Sequence, residues 1–420
     1  MLIRLFFLFS VIPALSSTCT FLAAEEWGQW RGPRGDGISS AKELPTSWST
    51  DKNVAWKTPL PEAGNSTPVV WQDRVFVTQA STKTRMLMCF SLKTGELLWK
   101  TGVDWAMPDP THGTNPFCSS SPVTDGERVI VWHGSAGLFC YDMQGNELWK
   151  RDFGIQKHIW GYGSSPVIHN DLCYLHFGPG ERSFLVAVHK QTGETIWQHD
   201  EPIDTQGTAD AKFQNADFYG SWSTPVIRQI KGKEQLILTA PFRIRSFNPT
   251  NGKPFWNSEG INALVYTSPL IEDNLLIAMG GYNGMTVALE VQDDDQVQRV
   301  WRHPKTKQRI GSGAIHNGHI FIHNDPGVAE CFNLHTGETL WEQRLSGPGG
   351  KPTNWSSVMI ANGLCYTINQ SGDCFVFKAD PKFELISTNS LGETSNSSIV
   401  PVDGKLLIRT HKHLWCIEQR

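Results

Sequence analysis

Thr94-Gly95-Glu96-Leu97-Leu98-Trp99 is a tight turn feeding a short strand that ends near an indole, and the chain repeats it. Gly145-Asn146-Glu147-Leu148-Trp149, Thr192-Gly193-Glu194-Thr195-Ile196-Trp197, Asn251-Gly252-Lys253-Pro254-Phe255-Trp256 and Thr336-Gly337-Glu338-Thr339-Leu340-Trp341 follow the same plan. Recurrence at a period in the forties marks one supersecondary unit copied around a ring or along a stack.

Upstream of each such strand a unit opens on small residues and an apolar run. Ser66-Thr67-Pro68-Val69, Ser120-Ser121-Pro122-Val123, Ser164-Ser165-Pro166-Val167, Ser223-Thr224-Pro225-Val226 and Thr267-Ser268-Pro269-Leu270 are clear copies. Ser312-Gly313-Ala314-Ile315, Ser356-Ser357-Val358 and Ser397-Ser398-Ile399 are degenerate ones, aligned on positions 314, 358 and 399 with Pro68. Each start is followed by a hairpin signal such as Asp125-Gly126, Asn317-Gly318 or Asp403-Gly404, dipeptides that accept the positive φ of two-residue turns. Two further apolar strands and the Trp strand complete the unit. Four short strands with period-two alternation form a propeller blade.

The two termini predict closure. The eighth unit stops after Leu414-Trp415-Cys416-Ile417 without a Trp strand, and Asn53-Val54-Ala55-Trp56-Lys57-Thr58 is a Trp strand without a unit. The expectation is an all-β, eight-bladed β-propeller closed by an N-terminal strand completing the last blade, which also removes an exposed edge. The propeller spans 53–420. Residues 25–52, including Trp27-Gly28-Gln29-Trp30, form a lead-in expected to pack across the outer surface of the ring.

Composition fits short strands and tight turns, with 38 glycines and 17 tryptophans in 420 residues. A net charge of −4 offers no basic footprint for nucleic acid. Residues 1–24 read as a signal peptide: Arg4, an apolar run Leu5 to Leu15, and small residues before Ala23-Ala24. No later stretch is long and apolar enough to span a bilayer, so a periplasmic or secreted, monomeric protein is expected. Cys89, Cys140, Cys331, Cys374 and Cys416 recur at one strand position, and Cys173 and Cys365 at another. Equivalent positions on different blades are too far apart to bridge, so these cysteines read as small buried hydrophobes.

The repeats from Asn53 to Arg420, with their turn-Gly-Glu/Lys-Trp signature at Thr94–Trp99 and Thr336–Trp341, resemble the quinoprotein-type (pyrroloquinoline quinone repeat-like) β-propeller family. That family includes quinoprotein alcohol dehydrogenases and the scaffold lipoprotein of the outer-membrane β-barrel assembly machinery. The resemblance implies the fold and leaves the activity open, since fold does not confer function. The dehydrogenases carry adjacent cysteines beside the quinone, and a Ca²⁺ site of Glu, Asn and Asp with a catalytic Asp. No two cysteines are adjacent here and no such acidic set can be matched, so no catalytic residue and no metal ligand is assigned.

In a propeller the loops entering each innermost strand share one face with those joining the second and third strands. The entering segments here are aromatic: Trp160 and Tyr162, Tyr219 and Trp222, Tyr266, and Trp355. Such rings either stack on a flat or sugar-like ligand or pack between loops. Arg243, with Arg245, Lys83, Arg85, Arg182 and Lys412, adds cations in the other loops. Candidate ligand-binding residues are therefore Trp160, Tyr162, Tyr219, Trp222, Arg243, Tyr266 and Trp355. His133, His176, His323 and His411 sit near second-strand ends, too dispersed for a metal. The insertions Trp105–Phe117 and Ile203–Phe218 enlarge two rims, and Asp217 is the nearest acid to an inner strand. The functional expectation is a non-catalytic binding or scaffolding module for a small ligand, polysaccharide or protein partner. The alternative is a pyrroloquinoline quinone- and Ca²⁺-dependent alcohol or sugar dehydrogenase.

Overall fold

The computed structural model describes residues 26–107, 109–201, 219–282 and 284–420. The leader expected at 1–24, the insertion Ile203–Phe218 and Asp217 lie outside these residues. Among the described residues, eight four-stranded antiparallel blades follow one another along the chain. Blade one is typical: Val69–Trp71, Arg74–Ala80, Thr84–Ser91 and Leu97–Asp104 pair in sequence order. The inner strands are short, and the second and third strands supply most of the buried apolar side chains. Val75, Phe76, Val77, Leu87, Cys89 and Phe90, for example, are all buried. Eight described cysteines are free and buried, seven of them in these strands and Cys118 in the loop that enters blade two.

Blade eight contributes Val400–Val402, Lys405–Arg409 and His413–Glu418, and its outer strand is Val54–Pro59 from the other end of the chain. Trp56 pairs with Cys416 and Lys57 with Trp415. The ring is latched as the orphan strand implied.

The repeated glycine and tryptophan form one joint between blades. Trp149 Nε1 donates to Lys190 O of the next blade at 3.0 Å, and Trp56, Trp99, Trp197, Trp301 and Trp341 make the same bond to Leu92, Met143, Pro249, Leu334 and Asp380. Except at Trp341, whose partner turn has no glycine, the indole lies against the turn glycine of that next blade. Gly193 has φ +72°, and a Cβ there would sit 2.6 Å from the Trp149 ring. Only glycine supplies both the left-handed backbone and the missing atom. Blade five has Asp293-Asp294-Asp295 in place of the Thr-Gly turn. Trp256 accordingly donates to Gln235 in its own blade at 2.9 Å.

Two expectations are corrected. The lead-in does not cover the outer surface; it crosses the axis. Trp27 bridges the free edge of the inner strand of blade one at Val70, and Thr124 N of blade two donates to Gly28 O. Arg31 reaches Gly313 O of blade six, and Ile38–Ser39 pairs in parallel with Met359–Ala361, the inner strand of blade seven. The segment then runs outward along blade seven, where Asn389 Oδ1 accepts Trp48 N at 2.9 Å. The inner strand edges are the unpaired backbone groups nearest the axis, and satisfying them stabilises this path. The second correction is register. Unit six aligns one residue earlier than expected, because Ser312 occupies the place of Thr67, as the hydroxyl ring described next requires.

Candidate functional site: an axial funnel with two tiers

At the start of every inner strand a hydroxyl side chain faces the preceding blade. Thr67 N donates to Ser121 Oγ at 2.8 Å, Ser121 N to Ser165 Oγ at 3.0 Å and Ser165 N to Thr224 Oγ1 at 3.0 Å. Ser268 Oγ donates back to Thr224 O at 2.7 Å. Ser268 N continues to Ser312 Oγ, Ser312 N to Ser357 Oγ, Ser357 N to Ser398 Oγ, and Ser398 N returns to Thr67 Oγ1. This belt closes the ring at its axis and explains the Ser/Thr starts of the sequence.

Strand alternation puts the residue two positions earlier on the same side. Those residues are Asn65, Ser119, Gly163, Trp222, Tyr266, Ile310, Trp355 and Asn396, and all eight line one axial cavity of about 400 Å³. Six hydroxyl residues of the belt, Thr67, Ser121, Ser165, Thr224, Ser357 and Ser398, line its base. Trp30 of the lead-in also lines it, and since that segment bridges the inner strands it forms the floor. The volume falls within the range of small-molecule sites, about 300–1,000 Å³.

The walls differ in chemistry. Trp222 lies 4.8 Å from Tyr266, Tyr266 5.9 Å from Tyr282, Tyr282 6.0 Å from Trp160 and Trp160 6.0 Å from Trp222, measured between ring centroids. These four rings form a continuous aromatic wall on blades three to five. Trp222 is anchored by its Nε1 donating to Gly161 O at 3.0 Å. An eight-bladed ring places blades seven, eight and one opposite. There Thr353 donates to Gln370 Oε1 at 2.6 Å, Gln370 Nε2 to Asn396 Oδ1 at 2.8 Å and Asn396 Nδ2 to Asn65 Oδ1 at 3.2 Å. His411 Nε2 bonds the same Asn65 oxygen at 3.2 Å. Burial, then the nearby Arg409 charge, lowers the His411 pKa to about 4, so this ring is neutral at pH 7.

The insertion Trp105–Phe117 folds over the same rim. It supplies His112, Thr114 and Asn115 to the cavity, and Asn115 Nδ2 donates to Trp160 O and Tyr162 O at 2.6 and 3.0 Å. Among the described lining residues Asp325 is the one carboxylate, and there is no Lys or Arg. Burial raises the Asp325 pKa, and the bond from Trp355 Nε1 at 2.9 Å partly offsets this.

Of the seven residues expected to bind ligand, Trp160, Trp222, Tyr266 and Trp355 meet in this cavity. Tyr162 does not line it: the ring is 3% exposed, packs on Trp132 at 4.8 Å and donates to Phe117 O. Tyr219 and Arg243 line a separate narrow crevice with Pro179 and Glu201. Directly after Tyr219, Gly220–Ser221 pairs in parallel with Leu264–Val265. None of the other expected cations lines the cavity: Lys83 and Lys412 are exposed and Arg182 donates to Phe153 O. Arg85 is buried against Asp109 at 2.9 Å, and Arg245 is paired with Glu201 at 3.0 Å. His133, His176 and His323 are buried between blades, their pKa values pushed down by burial to about 3, 4 and 3. No group of three or more His, Cys, Asp or Glu able to hold a metal occurs among the described residues. Trp30, Tyr282, Gln308, Gln370 and Asp325 were not foreseen. Trp30 lies outside the repeat, and the others sit in loops with no periodicity.

Pyrroloquinoline quinone is a tricarboxylate that needs cationic partners and a Ca²⁺ held by several carboxylate or amide oxygens. The described lining has amides but one carboxylate and no cation, so its donor set does not fit that group.

The family described as outer membrane protein assembly factor BamB matches residues 83–343, from the third strand of blade one to the last strand of blade six. Outer membrane protein assembly factor BamB of Francisella tularensis subsp. tularensis is 32% identical over 107 residues, covering 24% of this chain and 22% of that protein. The aligned stretch thus spans about a fifth of that relative. BamB of Moraxella catarrhalis superposes with a TM-score of 0.63 at 13% identity, over 87% of this chain and 97% of that one. A europium-containing methanol dehydrogenase superposes at 0.66 and 11% identity, over 91% of this chain and 89% of that one. The quinohemoprotein alcohol dehydrogenase of Comamonas testosteroni gives 0.66 at 11%, over 93% and 80%. At such identities these structures speak to the fold alone.

Proposed function

The chain belongs to the family of outer membrane protein assembly factor BamB, and on that premise we propose that it is an exported, monomeric, non-catalytic propeller that works as a binding or scaffolding module. Residues 1–24 act as a leader, 25–52 as the floor segment and 53–420 as the ring. Its working face is the axial funnel. The partner is a carbohydrate or a protein segment held by Trp160, Trp222, Tyr266 and Trp355. Tyr162 buttresses the loop that carries Trp160.

The observation that carries this reading is the chemistry of the lining. Redox work with a carboxylated quinone calls for cations and a Ca²⁺ cage. Glycoside hydrolysis calls for two carboxylates about 5–9.5 Å apart. The described funnel has a single carboxylate, spent on Trp355, among amides, hydroxyls and rings. Such a surface suits recognition. The experiment is a dye-linked assay on the full chain, preincubated with pyrroloquinoline quinone and Ca²⁺ and offered primary alcohols and aldoses. No reduction above the protein-free blank is expected. Substrate-dependent reduction that scales with protein concentration would establish the dehydrogenase instead.

A further inference from the structure

We propose that the funnel takes one end of a neutral oligosaccharide, which deepens the binding-module reading and rests on it. Three features converge. The first is the opposition of walls: in the ring, Trp222 and Tyr266 of blades four and five face Asn396 and Asn65 of blades eight and one. A pyranose has one face of C–H bonds, which the negative π-face of an aromatic attracts, and a rim of hydroxyls. Set between these walls, its apolar face lies on the indoles and phenols while its hydroxyls meet the amides.

The second feature is preorganisation. Gln370, Asn396 and Asn65 hold one another in a hydrogen-bonded line, and neutral His411 fixes the end of it. The amides thus keep their orientation without ligand, which reduces the ordering cost of binding. Gln308 also lines the cavity.

The third is a set of unspent donors. In the axial belt the hydroxyl oxygens of Thr67, Ser121, Ser165, Thr224, Ser357 and Ser398 each accept a backbone N–H. Their O–H hydrogens have no acceptor among the described residues. All six side chains belong to residues less than 9% exposed, and buried donors are normally satisfied. A ligand rich in oxygen acceptors meets this demand. The described lining holds no Lys or Arg and one carboxylate, Asp325, which selects a neutral ligand over an anionic one, because an anionic group would find no counter-charge there.

The test uses the full chain and follows tryptophan fluorescence and calorimetry. Neutral probes are maltotetraose, cellotetraose, xylotetraose and chitotetraose; control probes are tetragalacturonate and inorganic phosphate. At least one neutral tetrasaccharide should give saturable quenching with a Kd below about 1 mM, and neither anion should bind. Tyr282→Ala removes an exposed ring of the aromatic wall, and Gln370→Ala one amide of the opposite wall. Each should weaken that binding about tenfold or more with an unchanged melting temperature. Failure of all four probes at about 10 mM overturns the inference, as does binding that survives both substitutions. Binding of phosphate or tetragalacturonate in preference to neutral sugar overturns it too. A peptide that binds in the funnel where no sugar does would overturn the sugar and leave the binding module intact. Consumption of a bound sugar would leave this ligand class standing and overturn the non-catalytic reading.

Discussion

Replacing Gly193 by alanine isolates the joint between blades. Two effects apply at any left-handed glycine. An alanine there costs about 1–2 kcal/mol, and the stiffer unfolded chain returns about 0.4–1 kcal/mol. Gly363, with φ +72° and nothing within 4 Å of where a Cβ would stand, carries these two effects alone. Gly193 has the same φ, but its Cβ would lie 2.6, 2.8 and 3.2 Å from Trp149 ring atoms. That ring cannot withdraw freely, since its Nε1 is bonded to Lys190 O. Overpacking of this kind adds about 1–3 kcal/mol. Gly193→Ala should therefore destabilise by about 2–4 kcal/mol and Gly363→Ala by about 1 kcal/mol. Guanidinium unfolding followed by fluorescence measures both, comparing midpoints of the first transition at equal slope. In a Trp149→Ala background the cost of Gly193→Ala should fall to that of Gly363→Ala. Equal costs in the parent protein would refute the glycine–indole joint.

Three further outcomes are expected. His133, His176 and His323 stay neutral in the fold, with pKa values near 3, 4 and 3, whereas an unfolded histidine binds a proton below about 6.5. Their contribution is complete above pH 6.5 and is lost as pH falls from there toward 4. At pH 5 each costs about 2 kcal/mol, so the denaturation midpoint should drop between pH 7.5 and 5, and His323→Gln should flatten that slope by about one proton; a pH-independent midpoint would contradict this. Arg85→Met strands the buried Asp109 carboxylate and should cost about 3–5 kcal/mol, with most of it recovered in Arg85→Met/Asp109→Leu; thermal melting that ranks the double variant below the single one would sink the ion-pair argument. Trp56→Ala removes the indole that joins blade eight to blade one and should cost about 2–4 kcal/mol. Limited proteolysis of that variant should release 26–59 first, and initial cleavage inside a blade would show the latch to be elsewhere.

The repeat made the blades legible because each of its residues has a fixed mechanical task. The glycine receives the previous indole, the tryptophan reaches the next turn, and the Ser/Thr start hydrogen-bonds around the axis. The funnel was half legible for the same reason. Trp222, Tyr266 and Trp355 stand two residues before the axial hydroxyl, so alternation alone delivers them to the cavity. Tyr219 stands a further three residues back, just before a short parallel pairing, and lines a separate crevice that no pattern announced. Asn65 and Asn396 occupy the same informative position as Trp222, but an amide there carries no aromatic cue. Unit six slipped by one residue because Gly313 has replaced the proline that marks other starts. The path of the lead-in was unreadable, since its pairing with inner strands involves two-residue stretches that have no period.

Calorimetry of the full chain with pyrroloquinoline quinone and Ca²⁺ tests most directly whether this ring is a recognition surface and not a cofactor holder. With one carboxylate and no cation in the described funnel, the account predicts no saturable heat at ligand concentrations of about 100 μM. A one-to-one isotherm with micromolar affinity that requires Ca²⁺ would contradict it.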